Sequence, residues 1–261
     1  MSKQETPSLP DASQWQVQTL RVTAFLSPSA RIVEPKWWSE LLGGEPETRN
    51  LRPSRGELNE QGSFDKGILT LQVSPLRIDW NLALKVDVNS DDLFLPSLGV
   101  FPELGDKFIK LMAEWLGLAS APPLQRLAFG ATLHQPVEGT NEGYQLLAKY
   151  LPCVELSTDS KDFLYQINRP RKSKVPEMAT HSINRFSKWA CVALHRRLIQ
   201  CLLDGTTTTS VLGETTYACS LELDISTPAD FNGELPKQAL VQALGEQYEL
   251  GKEIASNGDI V

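Results

Sequence analysis

The sequence has little of what usually marks a metal-binding or catalytic chain. Its histidines number three, His134, His181 and His195, and none has a partner at HxxxH or HExxH spacing, which excludes the helical zinc-site pattern. Its four cysteines, Cys153, Cys191, Cys201 and Cys219, form no CxxC pair. Paired-thiolate zinc sites and dithiol redox motifs are thereby excluded, and core thiols are expected. No run approaches the roughly 18 apolar residues of a membrane helix, and MSKQETPSLPDASQ at the start contains no apolar leader segment. The expectation is a cytoplasmic protein without membrane contact, cofactor or bound metal.

Motifs for nucleotide and acyl chemistry are missing too. There is no GxSxG and no GxGxxG after a strand. GEQYELGK at 245–252 echoes a phosphate loop, but five residues separate its glycines and Glu253 replaces the hydroxyl residue. DVNSDD at 87–92 begins like a calcium loop, yet Asp92 stands where glycine is required and Leu98 where the bidentate glutamate belongs. Glu34-Pro35-Lys36 has nuclease-like ExK spacing, but its proline opens a helix instead of lying in a central strand.

What is present is enough apolar residue to build a core. A chain of 261 residues, 41% hydrophobic, fits one large domain or two small ones packed together. The net charge of −7 and pI near 5.1 exclude a protein that coats nucleic acid or anionic lipid over its whole surface. Any such contact must be local.

The patterning predicts an α+β fold of antiparallel sheets packed with helices. VQTLRVTAFL alternates Leu20, Val22, Ala24 and Leu26 with polar partners, as a half-buried strand does. A short helix follows at EPKWWSELLGG, stopped by Gly43-Gly44. Residues 44–66 are polar and aperiodic, and read as a functional or mobile loop. GILTLQV and LRIDWNLAL form a hairpin, 103–118 an amphipathic helix, and RLAFGATLHQ another strand. This βαββαβ order is that of a ferredoxin-like unit over 15–137, preceded by a disordered tail at 1–14. A second α+β half, 138–261, packs as one unit with the first. It holds a helix near 141–151, the strand DFLYQIN, a strand within 185–200, the strand TTYACSLELDI, and a helix from Pro236 to about Ser256.

The order of elements, INRFSKW ahead of a late strand, and SLELDIST followed by a long helix together resemble a sporadically distributed family of uncharacterised prokaryotic proteins of about 250 residues. The resemblance implies an accessory protein, of a mobile-element or defence locus. It carries no catalytic residue.

Charge is distributed unevenly. Between residues 169 and 197 lie Arg169, Arg171, Lys172, Lys174, Arg185, Lys188, Arg196 and Arg197 against the single acid Glu177, so this stretch carries +7 in a chain of −7. Tyr165, Phe186 and Trp189 are interleaved with the cations. Spaced cations neutralise phosphates and aromatic rings stack on unpaired bases, so the segment is a candidate contact for nucleic acid or for an acidic protein. The bland reading of the same residues is a solvated loop paired with neighbouring acids, Phe186 and Trp189 being core. The function expected is a non-enzymatic accessory or adaptor protein. The alternatives are a nuclease or phosphoryl-transfer enzyme assembled from Asp79, Glu222, Asp224, His181 or His195, and an oligomeric structural component using sheet edges.

Overall fold

A computed structural model describes residues 11–32, 34–85, 96–157, 160–201, 207–231 and 233–259, with backbone alone over 196–201 and 207–214. The strands are β1 (Gln16–Leu26), β2 (Thr48–Arg52), β3 (Glu57–Phe64), β4 (Gly67–Ser74), β5 (Arg77–Leu84), β6 (Leu124–Val137), β7 (Leu164–Asn168), β8 (Arg171–Lys172), β9 (Ser182–Cys201) and β10 (Thr207–Ser226). The helices are α1 (Trp37–Leu42), α2 (Phe101–Gly117), α3 (Thr140–Tyr150) and α4 (Leu240–Asn257). The fold is α+β. One antiparallel sheet runs in the order β2-β3-β4-β5-β1-β6-β10-β9-β7, with β8 pairing β9. It continues across the boundary at 137 and 138 through the β6–β10 ladder, from Tyr217↔Val137 to Ser226↔Ala128.

Strand alternation decides which face is buried. Leu20, Val22 and Ala24 of β1 stand in register with Leu82, Trp80 and Ile78 of β5. On the other side of β1 the same three face Ala131, Phe129 and Leu127 of β6. Cys219, Leu221, Leu223 and Ile225 of β10 extend this face, and all are buried. The helices lie on it. Leu104, Phe108, Met112 and Trp115 form the inner stripe of α2, and Leu240, Leu244, Tyr248 and Gly251 that of α4. Gly251 brings α4 so close that an added Cβ would stand 3.2 Å from the Phe129 ring. Trp37 and Trp38 are both buried, Trp38 stacking on Trp80 at 6.1 Å and Trp37 meeting Trp115 edge-on at 5.7 Å. Such pairs each add about 0.5–1.5 kcal/mol beyond the area they bury.

Two expectations change. The stretch 44–66 is not an irregular loop: it contains the β2–β3 hairpin, turned at Gly56 with φ +64°. The alternation is hidden because the buried side of β3 is Leu58, Glu60 and Gly62, a leucine, an acid and a residue without a side chain. The expectation of disorder over 1–14 is also corrected at 11–14. Residues 1–10 lie outside the described residues, but Asp11 caps a turn at Ala12–Gln14 in which Ala12 is buried. The rejected calcium loop at 87–92 likewise lies outside them.

The strand expected within 185–200 is part of β9, which runs on to Cys201. β9 and β10 are 20 residues each, several times an ordinary strand. β6 accompanies β10 only from Tyr217 onward and β7 accompanies β9 only up to Ala190. Beyond those points the two strands run on as a ribbon with no third strand among the described residues, Cys201 opposite Thr207 at its far end.

Candidate functional site: a committed basic segment and an open sheet face

The structure does not gather the eight cations of 169–197 into one free patch. Arg169 makes a two-pronged pair with Asp259, whose side chain is 3% exposed. Arg171 makes another with Glu253 on α4, both bonds 2.9 Å. Arg185, in β9, lies on the helix-facing side and is buried, with Glu253 at 3.6 Å. Lys188 points the opposite way and bonds Glu222 at 2.8 Å. Only Lys172 and Lys174 have no carboxylate in ion-pair reach among the described residues. The side chains of Arg196 and Arg197 lie outside the described residues; the ladder sets these two positions opposite Leu212 and Val211 on the ribbon. Trp189 is core, and Phe186 is half-buried on the outer face.

These pairs tie the segment to the chain's C-terminal end. Tyr165 donates its hydroxyl to Asp259 at 2.5 Å, and the Asp259 amide donates to the Tyr150 carbonyl at 2.9 Å. The Arg169 guanidinium holds the Asp259 carboxyl below the usual carboxylate range, and Arg171 does the same for Glu253. Burial, with help from Asp259, pushes the Tyr165 phenol upward. Burial first, then Arg171, lowers the basicity of Arg185. The segment works as a clamp over α4.

Among the described residues, the opposite face of the sheet carries no helix. Along it stand Arg77, Asp79 and Asn81 of β5, Arg21 and Thr23 of β1, Arg126 and Thr132 of β6, Glu222 and Asp224 of β10, and Lys188 of β9. In its middle is a hollow of about 220 Å³ lined by Arg21, Asn81, Thr132, Phe186, Glu222 and Asp224. Arg21 faces Gly130 across the β1–β6 ladder, and Gly130 faces Asp224 across the next. The Arg21 side chain therefore crosses a whole strand to reach Asp224 at 3.3 Å. It can do so because Gly130 has no side chain: a Cβ there would lie 3.1 Å from Arg21 Nη2. With both partners about 40% exposed, the pair adds little stability. It shapes the surface instead. Arg126 and Arg77 lie over the Phe25 ring at 5.1 and 5.7 Å.

The dispersed catalytic set does not assemble. Asp79 is bound by Thr23 at 2.6 Å and by Arg77, and stands three strand spacings, roughly 14 Å, from Glu222 and Asp224. His181 meets Phe231 edge-on at 4.6 Å and His195 lies 3.1 Å from the Thr215 hydroxyl. His134 is half-buried on the outer face, where desolvation lowers its pKa. Among the described residues no three His, Cys, Asp or Glu converge on a point that could hold a metal. GEQYELGK lies within α4, and no described helix is long and apolar enough to cross a membrane.

Strand alternation in the sequence puts Arg21, Asp79, Asn81, Glu222 and Asp224 on the polar sides of their strands, but does not join them into a surface. The available signal was a glycine inside RLAFGATL. A comparison with protein-family models matched no family, and a comparison with curated proteins matched none.

Proposed function

We propose that the chain is a non-enzymatic adaptor that docks a protein partner on the open face of its sheet. One observation carries this reading: all four described helices occupy one face, while the other presents, among the described residues, a half-exposed polar field with a hollow at its centre. Its charges nearly balance, Arg21, Arg77, Arg126 and Lys188 against Asp79, Glu222 and Asp224, which suits a protein surface of mixed charge better than a polyanion. Nucleic acid as the partner of residues 169–197 finds less support, because Arg169, Arg171 and Lys188 already hold carboxylates and Arg185 is buried beside the Glu253 that Arg171 holds. An accessory role in a prokaryotic complex accords with this.

The ribbon of β9 and β10 favours a second reading, self-assembly, since among the described strands β7 follows β9 only to Ala190 and none pairs with residues 191–201 on that side. We also read β1, α1, β4, β5, α2 and β6 as a ferredoxin-like unit with the β2–β3 hairpin inserted; the neighbour order β4-β5-β1-β6, antiparallel throughout, supports it.

The test compares capture from a lysate of the source organism by the wild type, by Glu222→Arg and by the pair Lys172→Glu, Lys174→Glu, with and without nuclease. The adaptor reading expects Glu222→Arg to lose a protein band that the lysine variant keeps and that nuclease does not remove. Equal capture by Glu222→Arg, or loss on nuclease treatment, overturns it. Light scattering on the purified chain separates self-assembly.

A further inference from the structure

Where the clamp meets the sheet, positive charge exceeds negative. Arg169 and Arg171 each hold a carboxylate in two bonds, Asp259 and Glu253, which leaves Arg185 without one of its own among the described residues: the acid in ion-pair reach is the Glu253 already shared, at 3.6 Å. Arg185 is 7% exposed, and its Nε is buried with no hydrogen-bond partner. A guanidinium does not shed its proton inside a protein, so burial leaves a charge and a donor to satisfy.

A cavity of about 10 Å³ adjoins these groups, lined by Arg169, Arg185, Ser187, Ile254, Gly258 and Asp259. It has room for one body of about water size. Ser187, 3% exposed, uses its oxygen to accept from Trp189 Nε1 at 3.1 Å, so its hydroxyl proton remains to be donated. Arg185 Nε–H and Ser187 O–H are two unspent donors at the cavity. Asp259, which also lines it, already receives Arg169 through both oxygens and Tyr165 through one.

We propose that this cavity is a binding site for one small monovalent anion, of which chloride is the physiological example, held by Arg185 Nε and Ser187 Oγ. The anion completes the count of charges that three arginines and two carboxylates leave open, and it locks the segment from Arg169 to Arg185 onto the end of α4. Larger oxyanions do not fit the volume.

Bromide tests the site on the wild-type chain. Crystals soaked in bromide give an anomalous peak in the cavity beside Arg185 and Ser187; a cavity that holds water alone at saturating bromide overturns the proposal. In solution, the melting temperature at constant ionic strength rises by roughly 3–5 °C for each tenfold increase in chloride above the dissociation constant, gluconate serving as the anion too large to enter. Ser187→Ala lowers that chloride dependence, and Arg185→Met removes it. A melting temperature indifferent to the exchange of gluconate for chloride, or an unaltered response in both variants, also refutes the site.

Discussion

Replacing Asp259 by Asn removes one charge from the clamp without changing its shape. The carboxylate is 3% exposed and receives Arg169 through two nitrogens and Tyr165 at 2.5 Å. Removing one member of a fully buried ion pair costs about 3–5 kcal/mol. Arg169 is 29% exposed and rehydrates in part, so the expected loss is about 2–3 kcal/mol, or roughly 5–10 °C in melting temperature. Urea unfolding at neutral pH measures it as a lower midpoint with an unchanged slope. The pH dependence gives the sign. The folded-state pKa of Asp259 is depressed, chiefly by Arg169. The stability from its charge is therefore fully present above the unfolded value near 4, and is lost as pH falls through the lower folded value. The gap between wild type and variant must close as the pH drops below about 4. A loss under about 0.5 kcal/mol at pH 7, or a gap of constant size down to pH 3, refutes the assignment of Asp259 as the anchor of the segment.

Glu60 should behave in the opposite sense. It is 1% exposed, its Oε2 has no partner, and burial raises its pKa. A raised carboxyl pKa favours folding while the proton is held and loses that contribution as pH rises through the folded value. Glu60→Gln is thus expected to stabilise the chain by about 1 kcal/mol at pH 7 and by less at pH 5, compared by urea midpoints; destabilisation at both values contradicts the reading. Gly258 has φ +74°, and a Cβ there would stand 2.0 Å from the Tyr150 carbonyl oxygen. Gly258→Ala is expected to cost more than about 2 kcal/mol and to raise proteolysis near the C-terminal end. The pair Lys172→Glu, Lys174→Glu touches no ion pair among the described residues and should leave the unfolding free energy within about 0.5 kcal/mol of wild type.

Most of the strands and helices were legible because their residues alternate with the period of the element that buries them. Leu20, Val22 and Ala24 of β1, and Cys219, Leu221 and Leu223 of β10, are buried as the alternation requires. The β2–β3 hairpin escaped notice because Glu60 and Gly62 occupy its inner face, so burial there is not written in apolar residues. The basic segment was visible as charge, but its partners were not. Asp259 and Glu253 lie 90 and 82 residues from Arg169 and Arg171, and nothing local relates them. The open face was half legible: each strand declared a polar side, while the helices' common side became apparent only with the sheet order. Arg21 could be joined to Asp224 only by knowing that Gly130 lies between them.

A photo-crosslinking residue placed at Thr132, on the open face, and in a second strain at Lys172, in the basic segment, tests the adaptor reading most directly. Docking on the sheet predicts that illumination in the source organism gives a discrete protein adduct at Thr132 that nuclease leaves intact, with none at Lys172. Adducts confined to Lys172, or adducts at Thr132 that nuclease releases, would contradict it.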